Sequence, residues 1–232
     1  MNFSLIIFGY NEEGNLNQVV ENALSFLKLF ATRFEIIIVN DGSDDLTGKI
    51  ADDWASRFPD SIFPIHHAEN AGIGMALRSG YVKAKMEYVC AIPADGQFDI
   101  RQLEILKPFG FQNFYSFYRL DTRYNTYRWI LTWTNRLMNQ HVLGIFLRDV
   151  NWIKVYRKEQ LEAVNPVLKS SLIESEICAK LYRLNVMPIE VPSVYLKRLS
   201  GKAKGGNWST LKKAIKETWV LFWTVLRFKK NI

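Results

Sequence analysis

"FEIIIVNDGSDDLTGKI", residues 34–50, sets an unbroken apolar run against a polar, acidic turn and then a stretch with helical spacing. The run over residues 34–39 has the length and β-branched character of a strand buried on both faces. A strand that ends in a turn and returns through a helix is half of a βαβ unit. The same order recurs on either side: "FSLIIFG" (3–9) precedes "LNQVVENALSFLKLF" (16–30), "IFPIHH" (62–67) precedes "GMALRSGYVKAKM" (74–86), and "YVCAIPA" (88–94) precedes "IRQLEIL" (100–106). This alternation predicts an α/β fold with a mainly parallel central sheet and helices on both faces.

In such sheets ligands bind in the crevice outside the carboxyl ends of the strands. The polar clusters fall at those ends: Tyr10-Asn11-Glu12, Asn40-Asp41-Gly42-Ser43, Glu69-Asn70 and Asp95-Gly96-Gln97. Any one of them is ordinary turn chemistry. Their recurrence at the same end of successive strands predicts a shared ligand rim. Asp44 and Asp45 are read as caps of the next helix instead.

The chain has 232 residues, 48% of them apolar, enough for one domain with a sizeable core and a small appendage. Thirty Lys and Arg against 23 Asp and Glu leave a formal charge of +7, which suits anionic partners. Cys90 and Cys178 have neither a CxxC spacing nor a His cluster beside them, so they read as packed thiols of a reducing compartment. The N-terminus shows no basic leader before an apolar core, against a secretory signal, and the Asn207 sequon is read as idle. "NAGIGMALRSG" (70–80) puts two glycines at a helix start but lacks the third glycine and the position of a dinucleotide fingerprint. Its glycines are expected to shape a turn beside the ligand, with Arg78 as a surface charge or a contact to Asp95. The basic residues accompany carboxylates at a sheet rim and form no nucleic-acid reader motif, so nucleic acid is not expected as a partner.

In the second half, strands are expected near 113–119 and 151–156 and over "VMPIEVP" (186–192), with helices near 125–140 and 170–184. A basic loop, "LKRLSGKAKGG" (196–206), follows. "NWSTLKKAIKETWVLFWTVLRFKKNI" (207–232) reads as a helix with Lys212, Lys213 and Lys216 on one side and an apolar end bearing Trp219 and Trp223. Its apolar run falls short of the roughly 20 residues that cross a bilayer. It suits a membrane interface, or packing against the domain or a partner. The expected division is a domain over 1–205 and an amphipathic helix over 206–232.

The ordered motifs "FGYNEEGNL", "IVNDGSDDLTGKI", "NAGIGMALRSGY", "PADGQFD" and "KRLSGKAKGG" resemble those of family 2 glycosyltransferases of the GT-A fold. The branch they resemble most is that of dolichol-phosphate mannosyltransferase-like and polyprenyl-phosphate glycosyltransferases. The resemblance implies a nucleotide-sugar donor held by Tyr10, Asn11, Glu12, Asn40, Asp41, Ser43, Asp95 and Gln97, and Mg2+ or Mn2+ on its diphosphate. In the family the strand-end motif is usually Asp-x-Asp; this chain has Pro93-Ala94-Asp95, so Asp95 and Gln97 are expected to hold a weak metal that binds with the donor.

For transfer, the resemblance implies catalytic roles for Asp95, Arg119, Arg128, Arg198 and Lys204. Arg119 and Arg128, with Thr132 a turn beyond, match positions that hold an acceptor phosphate; Arg198 and Lys204 match a basic loop near the diphosphate, and Arg123 and Lys202 add charge. The reading is an inverting transferase acting on a dolichyl or undecaprenyl phosphate. It would lie peripherally at the cytoplasmic face of a membrane, held by the membrane surface or a membrane-anchoring subunit. The alternatives are transfer to a sugar hydroxyl with Glu174 or Glu176 as base, and a nucleotide-sugar-binding protein without catalysis.

Overall fold

In the strand Arg33–Asn40, Ile36 and Ile38 enter the core on one side of the sheet while Ile37 and Val39 enter the core on the other. Side chains alternate across a strand, so a continuous apolar run needs cover on both faces. Leu5 and Ile7 against Ile6, and Cys90 and Ile92 against Val89 and Ala91, divide in the same way.

The computed structural model describes residues 1–120, 138–198, 200 and 208–228. The first half follows the expected alternation: β1 (Asn2–Gly9), α1 (Leu16–Phe30), β2 (Arg33–Asn40), α2 (Thr47–Arg57), β3 (Ile62–His66), α3 (Ile73–Lys83) and β4 (Tyr88–Pro93). The stretch expected as a short helix after β4 is a 3-10 helix, Ile100–Ile105, begun by the Asp99 carboxylate accepting the Arg101 N–H. β5 (Asn113–Arg119) and a single π-helical turn, Met138–Val142, come next. β6 (Lys154–Arg157), α4 (Lys158–Val164), α5 (Ile173–Arg183), β7 (Met187–Ser193) and α6 (Trp208–Arg227) complete the order. The rest of the helix expected over 125–140 lies outside the described residues, as do Arg123, Arg128, Thr132, Lys202 and Lys204.

The seven strands form one sheet in the order β3-β2-β1-β4-β6-β5-β7. β1, β2, β3 and β4 run parallel, as do β5 and β7, while β6 is antiparallel to both its neighbours. α1, α2 and the 3-10 helix pack on one face; α3, α4, α5 and the Leu221 and Val225 side of α6 pack on the other. The chain builds outward from β1 to β3 and then returns to place β4 on β1's other side. That reversal makes the carboxyl ends of β1 and β4 a topological switch point.

Two details depart from the expectation. β6 starts three residues later than 151, because Asp149 accepts the Asn151 N–H and holds a turn there. α4 has no counterpart in the sequence reading: seven residues are too short to show a period, and it follows β6 directly, with Arg157 as its N-cap and the Gln160 side chain accepting the Arg157 N–H.

Candidate active site

Three strand ends lie level at the switch point, since Gly9 pairs with Asn40 and Phe8 with Pro93. The chain is tied across them just beyond: the Asp41 N–H donates to the Gly9 carbonyl and the Ala94 N–H to the Phe8 carbonyl, each at 2.9 Å. The loops after β1 and β2 are laced by side chains. The Asn11 N–H donates to Ser43 Oγ (2.9 Å), the Asp44 N–H to Asn11 Oδ1 (2.9 Å), and the Glu12 N–H to Thr47 Oγ1 (2.7 Å). Tyr10 donates its hydroxyl to Asp44, and the charge of that carboxylate raises the phenol's pKa. Asp45 accepts the Thr47 N–H at the start of α2, close to the capping role expected of it.

Asp41 is buried and its carboxylate accepts from the Ala71 N–H (3.0 Å) and the Gly72 N–H (2.8 Å), with the His67 imidazole at 2.7 Å. Asp41 therefore fixes the loop that opens α3, and Gly72 takes a positive φ of 91° to present its N–H. The other ring nitrogen of His67 lies 2.9 Å from Ser79 Oγ. Asn40 is engaged at both ends of its amide: Oδ1 accepts the Ser43 N–H and Nδ2 meets His66. Its side chain shapes the turn that presents Ser43 and Asp41.

At the end of β4, Asp95 Oδ1 accepts the Gln97 N–H at 3.0 Å, and Arg198 Nη1 lies 3.5 Å from Oδ2. Burial raises the Asp95 pKa, against the lowering effects of the Gln97 N–H and of Arg198. The same guanidinium binds Glu12 Oε1 through Nη2. The other Glu12 oxygen accepts from Asn15 Nδ2 at 2.6 Å, and Asn15 in turn accepts the Ser200 hydroxyl at 2.7 Å. Arg198, and not Arg78, is thus the cation beside Asp95. Loops more than a hundred residues apart converge on one charged cluster.

The segment after β7 leads there from the other half of the sheet. Tyr195 pairs with Phe98, and the Leu196 N–H donates to the Gln97 carbonyl at 3.0 Å. Gln102 clamps Val194 by donating to its carbonyl and accepting its N–H. Arg119, at the end of β5, is held by Asp149 through Nε (2.7 Å) and Nη2 (3.2 Å). Its guanidinium lies over the rings of Trp152 and Tyr195, and Trp152 donates to Ser193 Oγ. Residues 193–198 therefore run from the Arg119 cluster to the Arg198 cluster.

The candidate bases are placed elsewhere. Glu174 is buried, accepting from the hydroxyls of Tyr81 (2.6 Å) and Tyr156 (2.7 Å), with the buried Lys154 ammonium 3.8 Å away. Glu176 is fully buried, accepts the Val167 and Leu168 N–H groups and pairs with Lys180 at 2.5 Å. Both carboxylates are engaged inside the protein. Cys90 and Cys178 are free and buried as expected; burial pushes the Cys178 thiol up to about 12.

Asp149, Trp152, Tyr195, His67 and Asn15 were missed by the sequence reading. Lys154 carried a signal, a lone cation inside the apolar run "WIKVY". Among the described residues no group of three or more His, Cys, Asp or Glu side chains could hold a metal. Asp95 and the Gln97 amide supply hard oxygen donors that fit Mg2+ or Mn2+ only when a ligand completes the coordination shell.

This three-layer α/β/α domain, with charged clusters gathered at the switch-point crevice, has the GT-A fold. Residues 4–161 match the family model described as glycosyl transferase family 2, and the chain belongs to that family.

Among curated relatives, a dolichyl-phosphate beta-glucosyltransferase of Trichomonas vaginalis is 34% identical over 109 residues, which is 45% of this chain and 33% of that protein. The human dolichyl-phosphate beta-glucosyltransferase is 32% identical over 110 residues, 45% of this chain and 34% of that one. These matches cover about a third of each relative's length. Among solved structures, glucosyl-3-phosphoglycerate synthase of Mycobacterium tuberculosis, in complex with Mn2+, UDP-glucose and phosphoglyceric acid, superposes with a TM-score of 0.68 at 14% identity, covering 99% of this chain and 81% of that one. The mannosyltransferase PcManGT of Pyrobaculum calidifontis, in complex with GDP-mannose and Mn2+, gives 0.63 at 17% identity, covering 98% and 65%. At these identities the two structures bear on the fold alone.

Proposed function

We propose that this chain transfers a sugar from a nucleotide diphosphate donor to a polyprenyl phosphate at the cytoplasmic face of a membrane. The observation that carries this reading is the meeting of Glu12, Asp95 and Arg198 at the switch point, joined through residues 193–198 to Arg119. One end of that belt suits the donor diphosphate and the other an acceptor phosphate. The relatives named as dolichyl-phosphate glucosyltransferases support the same acceptor chemistry.

In the proposed step, an acceptor phosphate oxygen attacks the anomeric carbon of the sugar. The bond from that carbon to the donor's phosphate oxygen breaks, its electrons leave with the nucleoside diphosphate, and one displacement inverts the configuration. The acceptor is already anionic and needs little help from a base. Arg119 would position its phosphate, while Arg198 would steady the charge growing on the departing diphosphate. Asp41, Glu12 and the laced loops that carry Tyr10, Asn11 and Ser43 would orient the nucleoside. A divalent cation held by Asp95 and Gln97 would neutralise diphosphate charge when bound. Transfer to a sugar hydroxyl draws no support from Glu174 or Glu176, which are both engaged in the interior.

The outer side of α6 exposes Trp219, Val220, Trp223 and Leu226, with Arg227 over the Trp223 ring. Among the described residues no helix is long and apolar enough to cross a membrane. Aromatic and cationic groups on an exposed helix face suit the headgroup boundary, so α6 would lie along the membrane while Leu221 and Val225 hold it to the domain.

The test is an assay of the purified chain with a panel of labelled nucleotide sugars, offered a polyprenyl phosphate or a soluble oligosaccharide. Label in the lipid phase that disappears in Arg119→Ala and Arg198→Ala supports the proposal. Label only in the oligosaccharide, or nucleotide-sugar binding without transfer, overturns it.

A further inference from the structure

Glu12 and Asp95 come from different strand ends, yet both present a carboxylate oxygen to one guanidinium, that of Arg198. Each carboxylate is also oriented from behind by a neutral donor. Asn15 Nδ2 fixes Glu12 Oε2 at 2.6 Å, and the Gln97 N–H fixes Asp95 Oδ1 at 3.0 Å. The second oxygens, Glu12 Oε1 and Asp95 Oδ2, are therefore the two that face the cation. Such outer hydrogen bonds are how proteins aim carboxylates at a metal. Pro93 stands where the family motif places its first acid, so β4 itself supplies one carboxylate.

We propose that Glu12 is the second carboxylate of the divalent-cation site, and that Arg198 and the cation compete for the Glu12–Asp95 pair. The inference deepens the proposed function, on which it rests for the presence of a diphosphate donor. Mg2+ and Mn2+ take one or two carboxylates together with substrate phosphates and water. A diphosphate arriving beside two carboxylates and a single guanidinium leaves negative charge in excess. Glu12 and Asp95 would hold a divalent cation that offsets that excess, and Arg198 would then be free to turn to the diphosphate. Donor and metal consequently bind as a unit, with Arg198 changing partners from carboxylate to phosphate. The arrangement gives Glu12 a role distinct from nucleoside recognition.

Mn2+ binding to the full chain, read from the free-ion signal in electron paramagnetic resonance, tests this without an acceptor. Wild type is expected to bind Mn2+ weakly alone and more tightly with UDP or GDP as probe. Arg198→Met should bind Mn2+ alone about tenfold more tightly than wild type, the scale on which a neighbouring charge shifts such equilibria, and should lose most of the nucleotide-dependent gain. Glu12→Gln should weaken Mn2+ binding as Asp95→Asn does, and Glu12→Asp should restore part of it, which separates a ligand's role from loop damage.

Unchanged Mn2+ affinity in Glu12→Gln, or in nucleotide-free Arg198→Met, overturns the proposal. If the Mn2+ pattern holds while no lipid is glycosylated, the functional reading falls and this one stands. If lipid is glycosylated while Glu12→Gln binds Mn2+ normally, the reverse is true.

Discussion

Arg198 reaches Glu12 across 186 residues of sequence, tying the segment after β7 to the loop after β1 with a single side chain. Residues 194–196 are clamped against the segment after β4, and the Arg198 Nε donates to the Ser200 carbonyl at 2.8 Å, so the side chain is aimed both by the sheet and by its own turn.

That clamp gives the first prediction. Gln102→Ala removes both bonds to Val194 without touching a charged group of the site. We expect the KM for donor to rise several-fold, with a Tm change of only a few degrees, since a neutral hydrogen bond contributes about 1 kcal/mol. Steady-state kinetics beside thermal unfolding checks it; an unchanged KM would show that Arg198 is positioned by other means.

Gly74 packs α3 against the chain before α5, and a Cβ there would lie 2.1 Å from the Ser170 carbonyl oxygen. Gly74→Ala must displace backbone, so we expect a loss of ~1–3 kcal/mol. At this chain length each kcal/mol corresponds to roughly 2–4 °C in Tm. Differential scanning calorimetry measures it.

Glu176 and Lys180 form a buried pair, and Lys180 also donates to the Val164 carbonyl at 2.9 Å. Glu176→Ala strands a buried ammonium, for which ~3–5 kcal/mol is the usual cost. Denaturant unfolding should show a large fall in midpoint. Glu174→Gln, by contrast, should keep lipid glycosylation per folded molecule near wild type; a collapse of turnover in a folded Glu174→Gln protein would return the base to the mechanism.

Asp95 carries a pH signature. Its folded-state pKa is raised, by burial above all, so the native chain binds that proton more tightly than the unfolded chain. The stability this contributes is full below the unfolded value and is lost as pH rises through the folded one. Ionised Asp95 is therefore a net cost to stability at neutral pH. Asp95→Asn should unfold at higher urea than wild type at pH 7, and the difference should shrink as pH falls. A variant less stable at pH 7 would show that the Arg198 contact outweighs burial.

Much of the site's placement was legible because it repeats. The runs that became β1, β2 and β4 are apolar on both faces, and each stops at a polar cluster, so Tyr10, Asp41 and Asp95 could be assigned to one rim. The partners of these residues were not legible. Asp149 lies 30 residues from Arg119, and Asn15 and Ser200 meet only through the tertiary fold. The reversed direction of β6 is set by its neighbours on both sides, and a four-residue strand carries no local mark of it. Glu174 and Glu176 stayed open as bases of the alternative reading because acids in the first turn of a helix look alike whether they face solvent, substrate or core; the Tyr81 and Tyr156 hydroxyls and the Lys180 ammonium show that these two face inward.

The central claim, that distant loops form one diphosphate-binding mouth, is tested most directly by NMR of the isotope-labelled chain with Mn2+ and a nucleoside diphosphate. Paramagnetic broadening should concentrate on amides of residues 9–12, 41–43, 70–72, 94–97 and 195–198. Broadening centred instead on the groove between α1 and the 3-10 helix, around Phe26, Ile100 and Arg101, or split between distant surfaces, would contradict it.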